Sequence, residues 1–223
     1  MSRPVFIINF KNYSEILGEG ALRLARTAEA VSETIDVELI LAPPVPRLSA
    51  VASAVRLPVF GQSVGNQQEG KSTGAIIPEA LKASGCAGSL INHSESRVPP
   101  GTIRDVIPRM KGLGLSSCVC GEDAKEIVML AGLAPEYLAV EPPELIGSGI
   151  AVSKARPELI RESVSSVKGA GYAGRLLCGA GIVTGEDARA AVKLGMDGIL
   201  VASSVVRSKD WESKIAELAG ALL

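Results

Sequence analysis

Gly88-Ser89-Leu90-Ile91-Asn92-His93-Ser94-Glu95 carries two signals in one short stretch. Its first half is apolar without strict polar alternation, the pattern of a strand covered on both faces in a parallel sheet. Its second half turns polar at once, at what reads as the start of a helix. It also holds the only histidine of the chain. An imidazole at a strand end is open to acid–base or hydrogen-bond chemistry near neutral pH. Taken alone, it reads more simply as a surface or core histidine with no chemical duty. The rest of the chain changes that reading.

Working outward, the same apolar run recurs. The pattern predicts strands at Val5–Asn9, Val37–Ala42, Pro58–Ser63, Gly88–Asn92, Leu115–Gly121, Tyr137–Glu141, Arg175–Cys178 and Gly198–Ala202. Helical spacing lies between them, at Ile16–Glu33, Ala155–Gly169, Thr184–Leu194 and Lys209–Leu222, with Thr184 as an N-cap. Pro46–Val55, Pro78–Ala83, Gly101–Leu113 and Asp123–Leu133 read as shorter helices. Strand–helix units in this series predict a single-domain (β/α)8 barrel spanning residues 1–223. The alternative is an open doubly wound sheet. A G-x-G-x-x-G opening is missing after the first strand, which weakens a dinucleotide-binding reading.

Composition narrows the classes. The chain has 223 residues, 47% of them apolar, and a formal net charge of −1. That supports a sizeable core and offers no basic stripe for nucleic acid. No apolar run is long enough for a transmembrane helix, and no signal pattern opens the chain, so a cytoplasmic protein is expected. Cys86, Cys118, Cys120 and Cys178 fit neither a zinc motif nor a CxxC pair, and read as small core residues. No metal or other cofactor is expected.

In a barrel of this class the active site lies at the C-terminal ends of the strands. Asn9 and Lys11, Gln62, His93 and Glu95, Glu141, Gly179 and Gly181, and Ala202-Ser203-Ser204 all stand there. An acid, an imidazole and an ammonium can therefore converge beside small residues.

These strand ends resemble the triosephosphate isomerase family over the length of the chain. Asn9-Phe10-Lys11 matches its motif after strand 1, and Asn92-His93-Ser94-Glu95 its motif after strand 4. Val140–Gly149 resembles its base-and-lid segment. Cys178-Gly179-Ala180-Gly181-Ile182 and Leu200-Val201-Ala202-Ser203 resemble its phosphate loops. The short length and the Glu141-Pro142-Pro143-Glu144-Leu145-Ile146-Gly147 wording are similar to the archaeal branch.

The resemblance implies interconversion of dihydroxyacetone phosphate and D-glyceraldehyde 3-phosphate. Glu141 would be the base, with Pro142-Pro143 holding its backbone extended. His93 would be a neutral electrophile, kept so if Ser94-Glu95 opens a helix whose positive end disfavours imidazolium. Lys11 would offset negative charge. Asn9 would hold substrate or orient Lys11, and Glu95 would organise the Lys11–His93 pair. The phosphate would be gripped by backbone N–H groups around Ile146, Gly147, Ser148, Gly181, Ala202 and Ser203. Glu141–Val152 would form a lid that excludes water.

Two stretches bear on assembly. Thr73-Gly74 matches the family's intersubunit loop, but Gln62 is followed by Ser63-Val64-Gly65, where archaeal members tend to carry His and Asp. Ile127–Ala134 reads as apolar nearly all round, so this helix is expected either at a second subunit interface or under its neighbours. Resemblance to the archaeal forms implies a homotetramer. Two competing readings remain open on sequence alone. One is another phosphate-binding barrel enzyme; the other is a sugar-phosphate binding barrel without turnover.

Overall fold

A computed structural model describes residues 3–142, 145 and 151–223. The chain alternates strands and helices: β1 Val5–Asn9, α1 Gly20–Ser32, β2 Glu38–Ala42, α2 Leu48–Ala54, β3 Phe60–Gly61, α3 Pro78–Ala83, β4 Gly88–Ile91, α4 Pro100–Gly112, β5 Ser116–Gly121 and α5 Ala124–Ala131. There follow β6 Tyr137–Val140, α6 Val152–Ala155, α7 Pro157–Gly169, β7 Arg175–Cys178, α8 Gly185–Lys193, β8 Gly198–Val201, α9 Ser203–Val206 and α10 Trp211–Gly220. The eight strands form one sheet in the order β2-β1-β8-β7-β6-β5-β4-β3, and every pair is parallel. A parallel bridge between Leu41 and Val59 brings the two ends of that order together. The expected (β/α)8 barrel is present.

Strand periodicity divides the core into two layers. Val5, Ile7, Ile40, Phe60, Leu90, Cys118, Cys120, Tyr137, Leu177 and Leu200 fill the barrel interior. Their neighbours Phe6, Ile8, Leu39, Leu41, Ile91, Val119, Leu138, Val140, Leu176 and Ile199 point outward, onto the helices. Apart from the half-buried first residues Glu38, Ser116 and Arg175, the strands are covered on both faces, which is why their sequences lack polar alternation.

The boundaries differ from the sequence expectation where proline or glycine intervenes. The stretch Pro58–Ser63 contributes only Phe60–Gly61 to the sheet. Pro58 has no N–H to give the ladder, and the Gln62 amide turns to the Ala42 and Lys11 carbonyls instead. The helix expected over Ile16–Glu33 is a 3-10 turn at Ser14–Ile16 followed by α1, with Gly18 at φ +58° between them. The helix expected over Ala155–Gly169 is split before Pro157, and Arg156 adopts φ −141°. Thr184 caps α8 as expected, in a reciprocal capping box with Asp187.

One expectation is corrected outright. No helix begins at Ser94-Glu95: these residues form a turn, and α4 starts at Pro100. The Pro99-Pro100 pair keeps the preceding backbone extended and places proline at the first helical position, where its missing N–H costs nothing. The apolar stretch expected over Ile127–Ala134 falls on α5 and the turn beyond it, and its neighbours cover it only in part. Ala124, Ile127, Leu130 and Ala131 are buried, Lys125 is exposed, and Met129 is 58% exposed.

Candidate active site

A cavity of about 60 Å³ opens at the C-terminal ends of the strands. Its walls include Lys11 after β1, His93 after β4, Glu141 after β6, Gly181 after β7, and Ala202 and Ser203 after β8. Residues spread from one end of the sequence to the other meet there because parallel strands all deliver their C-terminal ends to one face. Asn9 and Glu95 border the adjoining groove, which shares Lys11, Tyr13 and His93 with the cavity. Ile146, Gly147 and Ser148, with most of the expected lid, lie outside the described residues.

Lys11 sits at φ +49°, a left-handed conformation uncommon for a side chain of this size. Two contacts hold it. The Lys11 N–H donates to Asn9 Oδ1 at 3.0 Å, and Gln62 Nε2 donates to the Lys11 carbonyl at 3.2 Å. Asn9 therefore orients Lys11 from a buried position. The ammonium extends to Glu95 Oε1 at 2.8 Å, and its own side chain is only 14% exposed.

His93 is 4% exposed. The Glu95 N–H donates to His93 Nδ1 at 3.1 Å. An Nδ1 that accepts a hydrogen bond carries no proton, so the ring is neutral and Nε2 is its donor. The expected neutral imidazole is reached without the expected helix: a backbone N–H two residues on does what a helix end was to do.

Glu141 is 3% exposed, and its Oε1 stands 3.7 Å from His93 Nε2. Its Oε2 is buried with no hydrogen-bond partner among the described residues. A buried carboxylate oxygen that no protein donor occupies is an acceptor available to a substrate proton. Gly179 makes room for this side chain. A Cβ at residue 179 would lie 2.5 Å from Glu141 Cγ.

Cys120 was expected to be core alone. It is buried in the barrel interior, but it also lies against the site. A hydrogen bond with Cys118, burial and the neighbouring Glu141 charge all push its thiol well above the ordinary range. No sequence signal separates this cysteine from Cys118 two residues earlier on the same face. Gly179 and Cys120 were legible only as a turn glycine and a core residue.

On the far wall, Ala180 and Gly181 are consecutive left-handed residues, at φ +65° and +71°. For Ala180 that conformation costs on the order of 1 kcal/mol. α9 begins directly beyond Ala202, so its first N–H groups have no acceptor within the helix. On the flank, Lys154 of α6 pairs with Asp187 Oδ1 at 2.7 Å, tying the first element after residue 150 to the start of α8.

The model of the family described as triosephosphate isomerase matches residues 4–219. The chain belongs to the triosephosphate isomerase family. Named triosephosphate isomerases from archaea are similar over nearly the whole of both chains. The Cenarchaeum symbiosum protein is 47% identical, covering 98% of this chain and 98% of its own. That of Methanocaldococcus jannaschii is 44% identical, covering 96% and 98%. That of Methanothermus fervidus is 43% identical, covering 98% of each. No helix among the described residues is long and apolar enough to cross a membrane.

Proposed function

We propose that this chain is a triose-phosphate isomerase, interconverting dihydroxyacetone phosphate and D-glyceraldehyde 3-phosphate through an enediolate. The observation that carries this reading is the meeting of Lys11, His93 and Glu141 around one cavity beside Gly181, Ala202 and Ser203. Glu141 takes the proton from the carbon next to the carbonyl and returns it to the neighbouring carbon. His93 Nε2–H donates to the carbonyl and enediolate oxygens. A neutral donor suits this task, because imidazolium would lose its proton outright. The Lys11 ammonium offsets the charge on the enediolate and the phosphate. Glu95 holds that ammonium, and Asn9 holds the backbone that carries it.

The phosphate rests on backbone N–H groups at Gly181, Ala202 and Ser203 on this reading, with Ile146, Gly147 and Ser148 supplied by the lid segment. The reaction belongs to glycolysis and gluconeogenesis in the cytoplasm, and the assembly is a homotetramer of single-domain chains. Met129, exposed on α5, supports a further subunit contact there.

The test is a coupled assay of the purified protein with D-glyceraldehyde 3-phosphate, run beside Glu141→Gln. The expected result is turnover by the wild type and a loss of about 10²–10⁴-fold in kcat for the variant, with KM little changed. Wild-type protein that binds triose phosphate without turning it over would leave only a binding barrel.

A further inference from the structure

His93 follows a residue with an unusual load. Asn92 sits at φ +63°, is 3% exposed, and lies between the end of β4 and the turn that carries the imidazole. Its side chain reaches two elements and the far end of its own loop. Asn92 Nδ2 donates to the Cys120 carbonyl of β5 at 2.9 Å and to Glu126 Oε1 of α5 at 3.3 Å. Asn92 Oδ1 accepts from the Val98 N–H at 3.2 Å. Residues 93–98 are thus closed into a loop, with one side chain bonding the far end.

Within that loop, the Ser96 N–H donates to the His93 carbonyl at 2.7 Å and the Glu95 N–H to His93 Nδ1. The second of these bonds sets the tautomer. It forms only if the peptide at Glu95 is held at a fixed angle to the ring, and the Asn92–Val98 bond constrains the segment containing that peptide. Glu126 is held in turn. It accepts from the Glu122 N–H at 2.8 Å and pairs with Arg97, the residue before Val98, at 2.6 Å.

We propose that Asn92 is a positioning residue of the site: its amide staples residues 93–98 to β5 and α5 and so holds His93 with Nδ1 as acceptor and Nε2 as donor. Left-handed backbone alone would be met by glycine. The three hydrogen bonds are what asparagine adds. Aspartate would lack the donor and would set a second carboxylate against Glu126 and a carbonyl. This inference rests on the role given to His93 in the proposed isomerase reaction, but its readout does not.

A single histidine makes the test direct, because imidazole labelled with ¹⁵N gives one pair of ring-nitrogen resonances. In the wild-type protein Nδ1 is expected at the position of an unprotonated acceptor and Nε2 at that of a protonated nitrogen. Asn92→Gly keeps the backbone conformation and removes the staple. Both resonances should then move toward the average of the two tautomers. Where the wild type turns over, kcat should fall about 10- to 100-fold with little change in KM. Asn92→Asp should move them as well. Glu126→Gln, which keeps an acceptor for Asn92, should retain the wild-type spectrum. Wild-type nitrogen shifts in folded Asn92→Gly would overturn the proposal, whatever its kcat. The spectrum needs no substrate, so absence of isomerase activity in the wild type would count against the proposed reaction and leave this test standing.

Discussion

His93 Nε2 and Glu141 Oε1 face each other at 3.7 Å across the cavity, one from β4 and the other from β6, both almost wholly buried. That separation exceeds a hydrogen bond. The two groups can therefore address neighbouring atoms of a small molecule, the imidazole an oxygen and the carboxylate a carbon-bound proton. Shortening the carboxylate arm tests this directly. Glu141→Asp withdraws the base by one methylene, and kcat is expected to fall about 10²-fold with KM nearly unchanged, measured by steady-state kinetics in both directions.

Gly179 should be as sensitive as a residue that touches substrate, although it has no side chain. A methyl group there meets Glu141 Cγ at 2.5 Å, so the base or the β7 end must shift. Gly179→Ala is expected to lower kcat by about tenfold or more while the protein remains folded by circular dichroism. Wild-type turnover would mean that the β7 loop absorbs the methyl.

In the proposed reaction Lys11 acts through charge, and the pair it forms with Glu95 is part of its setting. Lys11→Met should raise KM for the dianionic substrate and lower kcat together. The KM of the wild type should rise with added salt, and that of the variant should respond less. Titrating KM against ionic strength for both proteins gives the comparison.

Asp187 provides a pH-dependent contribution to stability. Burial pushes its carboxyl up. Lys154 and the Thr184 and Val183 donors together outweigh that and hold it below the ordinary aspartate range. A folded-state value below the unfolded one stabilises the protein above the unfolded pKa of about 3.9, and the contribution is lost as pH falls through the folded value. Asp187→Asn should lower stability by about 1–3 kcal/mol at neutral pH. Urea titrations of the two proteins should converge as the pH falls through the lowered folded-state value.

The proposed tetramer makes a claim about mass. Sedimentation equilibrium should give four times the 23.0 kDa of the chain. Met129→Glu, which sets a charge on the exposed part of α5, should reduce that mass with little loss of monomer stability. A monomeric wild type would remove the claim.

Local pattern along the chain suffices for the succession of the eight strands, the barrel class and the residue types at each strand end. Burial on both faces leaves an unbroken apolar run, and that signal is local. It also determined that Lys11, His93 and Glu141 belong at one face, because parallel strands share an orientation. The helix start after Pro99-Pro100 was legible too, whereas the turn at Ser94-Glu95 was not, because it is set by the hydrogen bonds of His93 and Asn92. Packing in three dimensions is what shows that His93 Nδ1 is an acceptor, which glycine gives Glu141 its space, that Cys120 lies against Glu141, and that Asn92 ties its loop to β5 and α5. Each of these depends on which atoms of neighbouring strands fall level with one another. That adjacency is set by closure and stagger of the barrel, which no single stretch of sequence contains.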